Sequence, residues 1–398
     1  MSFVSTLRLS QAALAGFASI GAGFGSYAAA IPDLKALLDI TESQLGLALF
    51  FGALGAVTSM SASATLMARF GTGRRFIALI MVFLSLAFFG LRYVSDLPGL
   101  GFAMFCVGLC TGFLDVVVNA RISQLEARTG QHLMSLCHGT FSLAYAIAAI
   151  LTGVARELGA DPEQIFSNAA VVVAILAFVA LGGPKLPAGS EDAHEPEKGR
   201  APLPFAVFLL GALILIAFFA ENATETWSAL HVEQTLGGGA AEGAMGPAML
   251  GLTMALGRFS GQALSKRFGL VALMTAFSCL AATGAYIAAF APTPLVAYLG
   301  FAGLGLGIST LAPLGFALGG QHLTEAQRPR GIARMTLIGY MGFFLGPPTL
   351  GLFAEWFGLR AAFAIVATSL LVLPLLLRML NVPLASQDGP TEQPSRKD

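Results

Sequence analysis

A few titratable residues stand inside long apolar runs of this chain. Asp115 lies among Phe113, Leu114, Val116 and Val117, with Asn119 one helical turn further on. Glu221 and Glu225 are one turn apart in a second run, Arg258 stands in a third and His138 in a fourth. A charged side chain at the centre of an apolar helix costs about 2.5–3.5 kcal/mol on insertion scales, so each of these residues is a candidate for chemistry. Asp115 can take up and release a proton, or it can serve as an ionised acid in a permanent ion pair that locks two helices. Arg258 is the expected partner of Asp115, because the two lie at similar depth when counted from the ends of their runs. The other reading of Arg258 is a side chain that extends its head to water. His138 suits a proton relay, or a core hydrogen bond. Glu221 and Glu225 can share one proton or hydrogen-bond hydroxyl groups, and Glu225 also reads as a group standing in water. Trp227 suits either stacking on an apolar ring face or anchoring at a membrane interface. Tyr27, Ser309 and Thr310 follow glycine-rich stretches and offer hydroxyls.

Other chemistries lack their residues. No Gly-x-x-x-x-Gly-Lys-Ser/Thr loop, Gly-x-Ser-x-Gly elbow or His-Glu-x-x-His pair occurs, so no ATPase, hydrolase or zinc-protease site is expected. No metal site and no cofactor are expected. Cys106, Cys110, Cys137 and Cys279 all fall in apolar stretches and read as small buried hydrophobes.

The elements that hold these residues follow from composition. The chain has 398 residues, 56% hydrophobic and 11% charged, against about 25% charged for a soluble domain. Lys+Arg and Asp+Glu both total 22, so no basic surface is available for nucleic acid. Apolar runs long enough to cross a bilayer number twelve: 9–31, 44–68, 76–94, 98–124, 132–155, 164–183, 203–230, 243–266, 270–290, 294–320, 331–356 and 361–380. With twelve crossings both termini lie on one side. Seventeen of the 22 Lys and Arg residues sort to that side and four to the other, with Arg258 left inside a run. The basic side is expected to be cytoplasmic, in an inner membrane, with the lipid bilayer as surroundings and a monomer as the working unit.

The chain also repeats. A shift of 198 residues brings Leu66-Met-Ala-Arg-Phe-Gly71 onto Leu264-Ser-Lys-Arg-Phe-Gly269, Gly153 onto Gly351 and Glu157 onto Glu355. The expected organisation is a first six-helix half at 1–183, a charged cytoplasmic linker at 184–202, a second half at 203–382 and a disordered cytoplasmic tail at 383–398. Two halves related in this way place a binding site near the midplane between them.

On these residues the chain resembles the major facilitator superfamily. The loop Met67-Ala-Arg-Phe-Gly-Thr-Gly-Arg-Arg75 is similar to its signature, although Ala68 stands where an Asp is usual. That Asp latches the loop to the other half, and the superfamily's common Arg in the fourth span is missing as well. Tyr340-Met-Gly-Phe-Phe-Leu-Gly-Pro-Pro348 with Glu355-Trp-Phe-Gly358 is similar to its eleventh span. Asp115-Val-Val-Val-Asn-Ala120 with Glu126, Ser135-Leu-Cys-His-Gly139 with Ser142, and Glu221-Asn-Ala223 with Trp227-Ser-Ala229 resemble the fucose-permease-like branch and its YbjJ/MosC group. The resemblance implies an all-α membrane protein of twelve helices in two pseudo-symmetric halves, and a secondary transporter rather than an enzyme. Few charges line the runs, so the expected solute is small, polar and uncharged, sugar- or cyclitol-like. Protons are the expected coupling ion, carried by Asp115, Glu221 or both. The alternatives are an exporter of amphipathic compounds and a membrane sensor that binds solute without moving it.

Overall fold

The computed structural model describes residues 3–131, 133–183 and 202–380, and every regular element among them is a helix. The expected linker, apart from Pro202, and the expected tail lie outside the described residues. So does His132.

The first half comprises α1 (Phe3–Leu38), α2 (Glu42–Phe70), α3 (Arg74–Gly90), α4 (Leu97–Thr129), α5 (Met134–Glu157) and α6 (Pro162–Ala180). The second comprises α7 (Phe205–Leu230), α8 (Ala240–Phe268), α9 (Leu270–Ala289), α10 (Pro294–Ile308), α11 (Leu311–Gln321) and α12 (Arg328–Met379). One boundary differs from the sequence reading: the tenth run breaks at Ser309 and Thr310 into α10 and α11, which together make one crossing. The eleventh and twelfth runs are two helices, as read, that meet at the non-helical Gly358 (φ 80°, ψ 162°) and are numbered together as α12 (52 residues). A straight helix of that length would extend about 78 Å, more than twice the roughly 30 Å of hydrocarbon. α12 therefore crosses twice, before and after Gly358. Ten segments among the described residues are long and apolar enough to span. The second crossing of α12, and α8 packed between α5 and α10, bring the crossings to twelve.

Local sequence sets where these helices start and stop. At the face away from the chain termini, here the far face, Thr41 and Asp161 form capping boxes with Gln44 and Gln164. There Asp96 accepts a hydrogen bond from the Gly99 amide. These side chains satisfy amides that the helices leave open. At the terminal face, Gly130 closes α4 in a left-handed conformation (φ 66°), which glycine adopts without steric cost.

Each half packs within itself: α1 on α5 and α6, α2 on α4, and α3 on α6; then α7 on α12, α8 on α10, and α9 on α10 and α12. The halves meet along α5 with α8 and along α2 with α12. Large apolar side chains such as Phe102, Leu151, Phe178 and Leu299 point outward and are exposed, which suits lipid contact. Cys279 is exposed and Cys106 and Cys110 are half-buried. Only Cys137 is buried as the sequence suggested, because the other three lie on outward faces where lipid replaces a core.

Lipid is as apolar as a core, so helix pairing in a membrane relies on close packing of small residues. Gly108 of α4 shows how close. A Cβ there would lie 1.8 Å from the Gly52 carbonyl oxygen of α2. Gly108→Ala must force the two helices apart, at a cost of about 1–3 kcal/mol, and should lower the denaturation midpoint in detergent. Gly90→Ala, which meets nothing within 4 Å, should leave it in place.

Candidate functional site

Midway through the bundle the two halves exchange polar contacts. Asp115, on α4, is half-buried. One carboxylate oxygen accepts from Asn119 Nδ2 at 3.0 Å. The other accepts from the Tyr340 hydroxyl of α12 at 3.4 Å. Tyr340 is held by the rings of Phe218 and Phe343. The Asp115–Tyr340 bond thus joins the halves, and no cation pairs with Asp115 among the described residues.

Arg258 is placed differently from the sequence expectation. Its guanidinium does not reach Asp115. It donates to Glu221 Oε1 at 2.8 Å and to the Ser142 hydroxyl of α5, and it lies over the Phe141 ring. The reason is the direction in which helical side chains lean, toward the N-terminus of their own helix. α8 runs from the far face to the terminal face, so Arg258 leans toward the far face. α7 runs the other way, so Glu221 leans toward the terminal face and the two converge. α8 packs on α5, α10 and α7, whereas α4 packs on α2 and α3, so Asp115 and Arg258 stand at similar depth on helices that are not packed together. The water-seeking reading of Arg258 fails as well, since its side chain is 13% exposed.

Glu225 is half-buried and not simply in water. Its backbone carbonyl accepts from the Tyr145 hydroxyl of α5 at 3.4 Å, which again crosses between the halves. Its carboxyl forms no hydrogen bond or ion pair among the described residues. The site thus holds three carboxyls and one guanidinium.

His138 lies beside this site without joining it: its ring makes a tilted contact with Phe17 of α1, centroids 4.6 Å apart, its backbone carbonyl accepts from Ser142, and it has no hydrogen bond to Asp115. The remaining candidates lie elsewhere. Tyr27 is buried against Phe166 of α6, inside the first half. Trp227 is fully buried beside Gly351 of α12, with its indole nitrogen unpartnered. It is neither an interfacial anchor nor open for stacking. Ser309 packs on Gly257 and donates to the Leu306 carbonyl. Thr310 is buried with its hydroxyl unpartnered. The glycine spacing that marked these hydroxyls reflects helix contact.

The family model described as Major Facilitator Superfamily matches residues 13–318 and 248–397. The chain belongs to the Major Facilitator Superfamily. It is similar to an MFS-type transporter of Yersinia pestis, 28% identical over 88% of this chain and 90% of that protein. It is also similar to the membrane protein MosC of Rhizobium meliloti, 27% identical over 88% and 85%. Among solved structures, the nucleoside transporter NupG has a TM-score of 0.73 at 13% identity, covering 95% and 99% of the two chains. A D-xylose-proton symporter has a TM-score of 0.73 at 13% identity, covering 94% and 97%. The superfamily points to a transporter of small solutes and not to an enzyme.

In this superfamily member the signature loop is held by its own half. Arg121 donates to the Thr72 carbonyl at 3.0 Å, the Thr72 hydroxyl donates to Gln124 at 2.8 Å, and Arg74 reaches the Gly183 carbonyl. Arg121 is buried within α4 and does not lie in a connection, as charge sorting placed it. Arg156 is likewise buried within α5. It grips Asp33 of α1 with two bonds (2.5 and 2.6 Å) and Glu233, past the end of α7, at 2.7 Å. Sequence reasoning missed this clamp and Tyr340. The signal for the clamp was a charged residue near the end of an apolar run, which reads equally as a loop group, and Tyr340 was visible only as part of the eleventh-span motif.

Glu221 and Arg258 are both largely buried, so removing one leaves the other charge uncompensated, at about 3–5 kcal/mol. Glu221→Gln should sharply lower the denaturation midpoint, and Glu221→Gln with Arg258→Gln should recover part of the loss. Asp115→Asn should change the midpoint far less, because its partners Asn119 and Tyr340 are neutral.

Proposed function

We propose that this chain is a proton-coupled secondary transporter of a small, polar, uncharged solute, sugar- or cyclitol-like, that works by alternating access. The observation that carries the reading is the division of labour among the mid-depth carboxyls. Glu221 is engaged by Arg258 in an ion pair. Asp115 has only neutral donors, Asn119 and Tyr340, and it bridges the halves. A proton on Asp115 changes what it can accept from Tyr340, and so changes a contact between the moving bodies. Asp115 is therefore the proposed proton carrier, with Glu225 as a second acid facing the same space. Asn119, Tyr340, Ser142 and Tyr145 supply neutral hydrogen-bonding groups suited to hydroxyls. Two structures of the same fold carry D-xylose with a proton and nucleosides, both small hydroxyl-bearing solutes, which supports this class.

In the same reading residues 1–183 and 203–382 are the moving bodies, 184–202 joins them, and the terminal face is cytoplasmic in an inner membrane. The other reading, an exporter of amphipathic compounds, draws on the aromatic contact across the halves between Phe50 and Phe344, 5.6 Å between centroids.

Proteoliposomes screened with pentoses, hexoses, cyclitols and amphipathic drugs test the proposal. The expected result is solute uptake that rises as external pH falls and that acidifies the lumen. Asp115→Asn should abolish proton-driven accumulation and leave solute exchange. Accumulation that survives in Asp115→Asn would remove Asp115 from the coupling.

A further inference from the structure

The internal repeat reappears at the far face as two matched contacts between the halves. On α5, Glu157 Oε2 accepts from the backbone amide of Ala241, in the first turn of α8, at 3.2 Å. On α12, Glu355 Oε2 accepts from the backbone amide of Ser43, in the first turn of α2, at 3.0 Å. The acceptors are 198 residues apart and so are the donors. One turn before each Glu a glycine admits the opposing helix. A Cβ at Gly153 would lie 2.3 Å from Ala244 Cβ, and one at Gly351 would lie 2.5 Å from the Glu42 carbonyl oxygen.

The chemistry of the two contacts is the same. The second residue of a helix has an amide that its own backbone cannot satisfy, and that end of the helix carries partial positive charge. On α2, Thr41 caps Gln44 and leaves the Ser43 amide to Glu355. In α8 the preceding residue is Gly239, which has no side chain to offer. Each Glu thus caps a helix of the other half.

We infer that Glu157 and Glu355 are paired latches that hold the far face closed and set how often it opens. The inference rests on the alternating-access reading. Both side chains are exposed, so water can take over carboxylate and amide when the halves part, and the contacts are reversible. The buried Arg156 clamp beside them has no counterpart, since Ala354 stands at the repeat position. The latches are the far-face contacts that occur once in each direction across the boundary, so they resist opening evenly along α5–α8 and α2–α12.

Spin labels on Phe102→Cys of α4 and Leu295→Cys of α10, with Cys106, Cys110, Cys137 and Cys279 replaced by Ala, measure opening of the far face in nanodiscs. Glu157→Gln and Glu355→Gln should each raise the ratio of open to closed about two- to five-fold, the worth of one charge at a helix end, and together by the product. The corresponding Ala variants should do at least as much. Glu242→Gln, which removes a charge that accepts from Gly239 within its own half, should leave the distances unchanged. Unchanged distances in the double Ala variant, or an effect confined to one of the two Glu residues, would overturn the pairing. A single distance under every condition, with or without a pH gradient, would overturn the alternating-access reading along with it.

Discussion

An arginine in the middle of an apolar helix must find a counter-charge, and much of the site follows from how Arg258 finds one. It cannot neutralise itself by losing its proton. Glu221, Ser142 and the face of Phe141 surround it. With Glu221 engaged in this pair, Asp115 and Glu225 are left without an ion pair among the described residues, and the proposed proton carrier is the one that bridges the halves, Asp115. The same pair spans α7 and α8 within the second half and reaches α5 of the first through Ser142. It therefore acts both as a structural centre and as part of the boundary between the halves.

Close approach of backbones makes these contacts possible. At mid-depth the side chains that bond across the halves are Arg258 (to Ser142), Tyr145 and Tyr340. Glycine keeps the helices of the two halves near one another, as Gly251 does beside Tyr145 and Gly46 beside Pro347. At the far face the alanines Ala29, Ala149, Ala244 and Ala248 pack together below the Arg156 clamp. Small residues thus set the distance between halves, and polar residues set which arrangement is preferred.

The architecture was largely legible in the sequence because hydrocarbon imposes length and apolarity on every crossing. The spans and the 198-residue repeat follow from those constraints and from counting. Pairing inside the site was less legible. Depth along a run can be counted, but which helices are neighbours and which face each turns to the other cannot be fixed before the packing is known, and Arg258 went to Glu221 for that reason. Trp227 and Thr310 misled because burial without a partner is rare for polar groups, and residue type alone suggests exposure or a ligand. Gly358 was legible, since the apolar runs on either side of it end at 356 and begin again at 361.

The repeat also shows where function departed from symmetry. Ser142 and Tyr340 occupy equivalent positions, 198 residues apart, and each makes a hydrogen bond across the halves at mid-depth. Ser142 accepts from a cation, Arg258, whereas Tyr340 donates to an acid, Asp115. Their partners are not equivalent: Pro313 stands at the repeat position of Asp115 and Met60 at that of Arg258. The scaffold therefore offers the same crossing point twice, once with permanent charge and once with a group able to change its protonation. A contact that always holds a charge resists opening in the same way in every cycle. A contact that can gain or lose a proton gives the two halves different preferences before and after the exchange, and that difference is what coupling requires.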